Sequence, residues 1–281
     1  MPESVNFDRM ADRYDETRGG AERGRTVAAA LAPHLLGETP PERARLLEIG
    51  VGTGLVSAAF VELGWSVAGV DLSERMLARA AGRLPGRILR ADATAIPLRS
   101  GTVDACAAVH VLHLVGDQPA VLAEVVRVLR PGGRFGFVGA GAPDGSDISE
   151  IIQAMQATLA DGASRRDAPD TVTRLAEQAG LRLVADLTLT GAGRPSTPLE
   201  AARQIELRTW STFWDVPASK WSTIVEPALD ALRGLPNPIE ARPARIRTPC
   251  LIFESQSPGT PARARQVNYP GRRFIIDRRV G

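Results

Sequence analysis

The chain has 281 residues, 44% hydrophobic and 23% charged, proportions that suit a soluble globular protein with one large domain and a small cap. A net charge of +2 makes no general case for nucleic acid or a membrane surface as partner, and no uncharged apolar run approaches the ~18 residues of a membrane span. The start, Met-Pro-Glu-Ser-Val-Asn-Phe-Asp, lacks the basic and apolar regions of a signal peptide, so the cytoplasm is the expected compartment.

Residues 4–18 read as a short helix followed by a turn, with Gly19-Gly20 as a hinge and a helix over 25–36 closed by Gly37. The stretch Leu46-Leu47-Glu48-Ile49-Gly50-Val51-Gly52-Thr53-Gly54 is a short strand ending in a glycine turn. Leu55, Val56, Ala59, Phe60 and Leu63 then recur at helical spacing. Strand, glycine turn and helix bring backbone N–H groups against a ligand, because glycine permits close approach. A dinucleotide fingerprint wants G-x-G-x-x-G, and here Leu55 stands where its third glycine belongs. Two further strands end in acids, 67–71 at Asp71 and 88–92 at Asp92. A dinucleotide site uses the first of these for ribose hydroxyls and has no standard use for the second. A helix capped by Ser73 follows Asp71. Within the fourth strand, residues 105–109 form a continuous apolar run, as in a strand buried on both faces, which His110 interrupts at the sheet edge where open α/β folds bind ligands. Asp117 and Pro119 start a helix ended by Pro131-Gly132-Gly133, and 134–138 is the fifth strand.

These segments resemble the class I S-adenosylmethionine (SAM)-dependent methyltransferases, closest to the small-molecule group with the ubiquinone/menaquinone C-methyltransferases. The resemblance lies in residues 46–54, 69–77, 90–98, 103–115 and 124–138, in the family's order and spacing. It implies an α/β, Rossmann-like, seven-stranded doubly wound sheet of order 3-2-1-4-5-7-6 with the last strand antiparallel. It further implies an N-terminal helical cap over the cofactor site and SAM as cofactor. Carried over residue by residue, the cofactor site comprises Glu48, Gly50, Gly52, Thr53, Gly54, Asp71, Leu72, Met76, Asp92, Ala93 and His110. Asp92 would accept from the adenine amine, and the Ala93 N–H would donate to a ring nitrogen. Met76 either touches adenine or packs under the sheet. In this family the N-terminal segment folds over the pocket, so Tyr14 and Arg18 would meet the methionine carboxylate, and Phe7 and Tyr14 would exclude water. His110 is the candidate catalytic base: a neutral imidazole there could take a proton from the acceptor or orient it, or bond structurally to a carbonyl. His113 either lines the acceptor pocket or packs. In the implied strand order Cys106 and Cys250 lie two strand spacings apart, roughly 9–10 Å, beyond the ~7 Å reach of a disulfide. Both read as buried small apolar residues. No metal site is expected, since His110 and His113 lack a third ligand nearby.

After Gly139 the resemblance weakens. Residues 148–159 and 171–179 read as helices around a charged loop, 181–190 as the sixth strand and 250–253 as the last. The excursion 191–247 between those strands has the length of a lid or binding element. It holds three of the four tryptophans. Leu207, Trp210 and Trp214 share a helix face, and either glue a helical pair to the domain or wall an acceptor pocket, with Arg208 among the polar candidates. The division is thus 1–40 as cap, 41–256 as SAM domain with the 191–247 insertion, and 257–281 as an extension with six Arg against one acid. That extension could pair with a neighbouring subunit, which leaves a homodimer open.

The leading expectation is methyl transfer from SAM to a small-molecule acceptor of secondary metabolism, an O, N or C nucleophile of apolar or aromatic character, by in-line displacement achieved largely through positioning. The alternatives are a SAM-binding enzyme of non-methylating chemistry, such as cyclisation or rearrangement, and an NAD(P)-dependent oxidoreductase. The sequence has no Asn-Pro-Pro-Tyr-type motif and no broad basic face outside the extension, so no nucleic-acid partner is expected.

Overall fold

The computed structural model describes residues 8, 11, 14–17, 19–37, 40–141, 144–160, 166–256, 265–269 and 272–276. A helical turn, Tyr14–Thr17, precedes α1 (Gly20–Leu35), whose buried face is Val27, Ala28, Leu31, Ala32 and Leu35. Gly20 opens this helix instead of hinging before it, because Gly19 takes the left-handed N-cap conformation and its carbonyl accepts from the Arg23 N–H. Then come β1 (Arg45–Ile49), α2 (Leu55–Glu62), β2 (Ser66–Asp71), α3 (Glu74–Arg83) and β3 (Ile88–Arg90). As the sequence suggests, Ser73 caps α3 by accepting from the Met76 N–H at 3.1 Å.

Next are β4 (Val103–Val109) and α4 (Gln118–Val128), the latter capped by Asp117, which accepts from the Ala120 N–H at 2.9 Å. Strand β5 (Leu129–Val138) begins earlier than position 134. Leu129 already pairs with Val103, and the register shifts before Ala105 meets Arg134, so Pro131-Gly132-Gly133 lies within the strand as an irregularity. Helices α5 (Asp147–Leu159) and α6 (Pro169–Gln178), β6 (Leu181–Ser196), α7 (Pro198–Glu206), α8 (Glu226–Arg233) and β7 (Arg242–Ser255) complete the main sequence of elements. Both β6 and β7 are longer than their apolar runs: Gly191, Gly193, Pro195 and Pro243 argue locally against strand. Gly193 nevertheless lies so close to Ala244 that an added Cβ would stand 2.9 Å from the alanine's own. Within 257–281 a hairpin pairs β8 (Arg265–Tyr269) with β9 (Arg272–Ile276).

The main sheet has the order β3-β2-β1-β4-β5-β7-β6, with β7 antiparallel to β5. That is the expected topology. It sets β5 between Cys106 of β4 and Cys250 of β7, and both cysteines are buried and free. Burial pushes the Cys250 thiol up to about 12 and that of Cys106 higher still.

The chain divides into two compact units. One comprises 1–140, 166–187 and 249–281, and the other 141–165 and 188–248. The first has its core on the sheet, around Leu47, Ile49, Cys106, Phe135, Phe137 and Phe253. The second has a core of its own, built from Ile148, Met155, Ala202, Ile205, Phe213, Val225 and Leu229. The excursion therefore shares its interior with α5. No helix among the described residues is long and apolar enough to cross a membrane.

Candidate functional site

At the carboxyl end of β1 the chain turns through Gly50 and Gly52, at φ 66° and 53°, a left-handed backbone that residues with a Cβ adopt at a cost. The two positions differ in their surroundings. A Cβ on Gly50 would stand 2.4 Å from Cγ2 of Val111, so the turn is pressed against the segment leaving β4. A Cβ on Gly52 would meet nothing within 4 Å. Gly50 answers to packing, then, while Gly52 faces open space.

Three carboxyl groups lie at or just beyond the ends of β1, β2 and β3. Glu48 is buried and accepts from the Ser57 hydroxyl. Burial, aided by the nearby charge of Asp71, raises its pKa to about 8 against the bonds from Ser57, so it is largely neutral at pH 7. Asp71, at the tip of β2, accepts from the Gly52 N–H through Oδ2 at 2.8 Å and from the Ser73 N–H through Oδ1 at 2.9 Å. Burial raises its pKa, and the amides of Ser73, Gly52 and Leu72 oppose that rise. Each of its oxygens keeps a lone pair for a further donor. Asp92 is exposed beyond β3, with Oδ1 accepting from both the N–H (2.9 Å) and the hydroxyl (2.8 Å) of Thr94. Ala93 is half-buried beside it, Met76 is buried in α3, and Leu72 is exposed while its carbonyl accepts from Arg90 Nε at 3.2 Å.

The sequence reading missed what ties the N-terminal segment to this turn. Asp15 accepts from the Thr53 hydroxyl at 2.5 Å and pairs with Arg83 Nη2 at 2.6 Å, and Arg83 Nη1 donates to the Thr53 carbonyl at 2.7 Å. Asp8 accepts from the Ser73 hydroxyl and from the Arg75 N–H. Asp8 and Asp15 are the acids of the Phe-Asp and Tyr-Asp pairs in 4–18, so the signal was present but was assigned to the aromatics. Tyr14 is half-buried on the same turn; Phe7 and Arg18 lie outside the described residues.

His110 closes β4 at φ 52°, and its N–H donates to the Val138 carbonyl at 2.9 Å. Val111, next in sequence, is the residue pressed on Gly50. His113 follows on the short helix Leu112–Leu114, with Nδ1 3.7 Å from Oδ2 of the buried Asp167. The remaining sequence candidates belong to the second unit. There Arg208 Nη1 donates to the carbonyls of Phe213 and Trp214 at 2.8 and 2.9 Å, and its guanidinium lies 4.2 Å over the Trp221 ring. Trp214 Nε1 donates to the Arg208 carbonyl at 2.8 Å, and Trp210 packs against Phe213. The observed partners of Arg208 and Trp214 thus serve to knit that unit together.

This strand order, with a glycine turn at the tip of β1 and acids at the tips of β2 and β3, defines the Rossmann-like methyltransferase fold. Residues 47–137 match the family model described as a methyltransferase domain. A demethylmenaquinone methyltransferase of Beutenbergia cavernae is 32% identical over 205 residues, which take in 66% of this chain and 85% of that protein. An uncharacterised methyltransferase of Mycobacterium bovis is 38% identical over 130 residues, 46% of this chain and 52% of the relative. The chain thus spans about half the length of that relative. Among solved structures, the [4+2]-cyclase SpnF superposes with a TM-score of 0.57 at 16% identity, covering 92% of this chain and 96% of that one, a likeness of fold alone. The chain belongs to the class I SAM-dependent methyltransferases, and SAM is the cofactor of that family.

Proposed function

We propose that this chain transfers the methyl group of SAM to a small-molecule acceptor, a planar and largely apolar ring bearing an ionisable hydroxyl. The observation that supports this reading is the open space at Gly52, whose amide donates to Asp71 at the tip of the next strand. The donors and acceptors around it suit the cofactor. The glycine turn has no side chain at Gly52 to obstruct the amino-acid arm. Asp71 has lone pairs for ribose hydroxyls, and Asp92 with the Ala93 N–H offers an acceptor and a donor to the adenine edge. Bound SAM supplies an electrophilic methyl on a sulfonium sulfur. The chain holds and aligns the reactants, an effect that can contribute roughly 7–11 kcal/mol. A relative named as a demethylmenaquinone methyltransferase supports the aromatic acceptor class.

The test pairs calorimetry with product analysis. SAM and its demethylated product are expected to bind and NAD is not. Labelled methyl from SAM is expected in product when the chain is incubated with 1,4-naphthohydroquinone. NAD binding without SAM binding would remove the reading. SAM binding accompanied by an isomerised, unmethylated product would replace it with cyclase-type chemistry.

A further inference from the structure

We infer that Asp15 and Arg83 are positioning residues for the cofactor: together they hold the Thr53 end of the glycine turn in the shape that receives the amino-acid arm of SAM. The inference rests on the methyl-transfer reading above and deepens it, since it assigns recognition of that arm, apart from the adenosine, to two side chains outside the sheet.

The three residues close a ring of hydrogen bonds. Asp15 Oδ1 accepts from the Thr53 hydroxyl at 2.5 Å, Arg83 Nη1 donates to the Thr53 carbonyl at 2.7 Å, and Arg83 Nη2 donates to Asp15 Oδ2 at 2.6 Å. Each member binds both others, and every bond has an ionised group on one side at least, which makes it stronger than a neutral one. Thr53 is buried, whereas the side chains of Asp15 and Arg83 are 19% and 35% exposed, so the ring runs from the surface to the covered end of the turn. Local structure places each partner. Asp15 sits in the helical turn Tyr14–Thr17 that precedes α1. Arg83 closes α3, at the helix end that favours a cation. The end of α3 abuts the glycine turn, since a Cβ on Gly54 would stand 3.0 Å from Leu84 Cδ1 and 3.2 Å from the Ala80 Cβ.

The backbone of the turn gives this hold its purpose. Gly52 and Gly54, on either side of Thr53, have φ 53° and 82°, and glycine gives up more conformational freedom than any other residue when it is ordered. Several groups of the turn are restrained by the sheet or by the turn itself. The Val51 N–H donates to the Val70 carbonyl at 3.0 Å, the Gly52 N–H to Asp71 at 2.8 Å and the Gly54 N–H to the Val51 carbonyl at 2.9 Å. The Thr53 hydroxyl and carbonyl are instead held by residues 38 and 30 positions away. Without the ring, ordering the Thr53 peptide falls to the ligand and is subtracted from its affinity. That loss falls unequally on the parts of SAM. The adenosine is proposed to meet Asp71, Asp92 and the Ala93 N–H, while the amino-acid arm passes the open space at Gly52, next to Thr53. Releasing Thr53 therefore weakens ligands that carry the arm and spares those that lack it.

The test compares, by calorimetry, two ligands that share the adenosine and the sulfur: S-adenosylhomocysteine, which keeps the amino-acid arm, and methylthioadenosine, which lacks it. Asp15→Asn and Arg83→Met are each expected to weaken S-adenosylhomocysteine about tenfold, with methylthioadenosine within about twofold of the parent. The double variant is expected to bind S-adenosylhomocysteine no more weakly than the weaker single one, because either change opens the same ring. Thermal melts identify the folded variants, and Arg83→Gln takes the place of Arg83→Met should that one melt below the assay temperature. Parental affinity for S-adenosylhomocysteine in the single variants, or equal losses for the two ligands, would overturn the positioning role and leave the methyl-transfer reading standing. Losses that multiply in the double variant would overturn it as well, since they mark two independent contacts. Failure of the parent chain to bind either ligand would remove the methyl-transfer reading, and the ring's role with it.

Discussion

Glu48 shows how a residue beside the glycine turn can act through its own burial. Its ordinary pKa is 4.5, and in the folded chain it is raised to about 8. Between those values the unfolded chain has released the proton and the folded chain keeps it. The contribution of Glu48 to stability therefore falls as pH rises across that window and levels off above it. Glu48→Gln, an isostere of the neutral acid, removes this slope. Thermal melts from about pH 5 to pH 8.5 should show a parent that loses stability by on the order of a few kcal/mol more than the variant does. Equal slopes would mean that Glu48 is ionised throughout. At this scale the sequence was legible for placement, with Asp71 at the end of β2 and Asp92 just beyond β3. It was not legible for the burial of Asp167, which is brought near His113 across the fold where Gln118 and Arg166 tie the two segments. Nothing in the residues next to Asp167 announces that contact. For His110, the left-handed backbone and the bond to Val138 describe its placement. His110→Ala is expected to lower turnover by ~100-fold or more if His110 takes the acceptor's proton, and a near-parental rate would make it a structural residue.

Among the elements, the glycine turn holds one glycine that packing demands and one that faces open space. Gly50→Ala would place its methyl 2.4 Å from Val111 at φ 66°, and should destabilise the fold by ~2–4 kcal/mol in urea unfolding. Gly52→Ala has the same backbone cost without the collision, so a loss of ~1–2 kcal/mol is expected. Its methyl would, however, stand in the open space where SAM is proposed to lie, and calorimetry should show SAM affinity down more than tenfold. Parental affinity in Gly52→Ala would place the cofactor elsewhere. The turn is further held by Arg83, which joins Asp15 to the Thr53 carbonyl. The alternation of glycines and the Ser73 and Asp117 caps were readable because each is a local signal. The Asp15–Arg83–Thr53 connection was not, because it joins a segment before α1 to the end of α3.

At the level of the whole chain, two separate apolar interiors imply two separable responses to damage. Topology and strand order follow from the run of strand, glycine turn and helix, which any sheet of this kind repeats. The second unit was readable only as an excursion, because its interior draws α5 from one part of the sequence and α7 and α8 from another. The stretches of β6 and β7 beyond their apolar runs were hidden by the glycines and prolines those strands tolerate. Phe213 is fully buried in that second core, against Trp210. Replacing it with Ala should cost ~3–5 kcal/mol, the range for losing a buried phenylalanine. If the two interiors are independent, hydrogen exchange measured by mass spectrometry should lose protection in 147–159, 198–206 and 226–233. The strands at 45–49 and 103–109, which rest on Phe135, Phe137 and Phe253, should stay protected. SAM binding to the glycine turn should survive as well, since all of its proposed partners belong to the first unit. Uniform loss of protection across both sets of peptides would mean that the chain unfolds as one cooperative body in spite of its two cores.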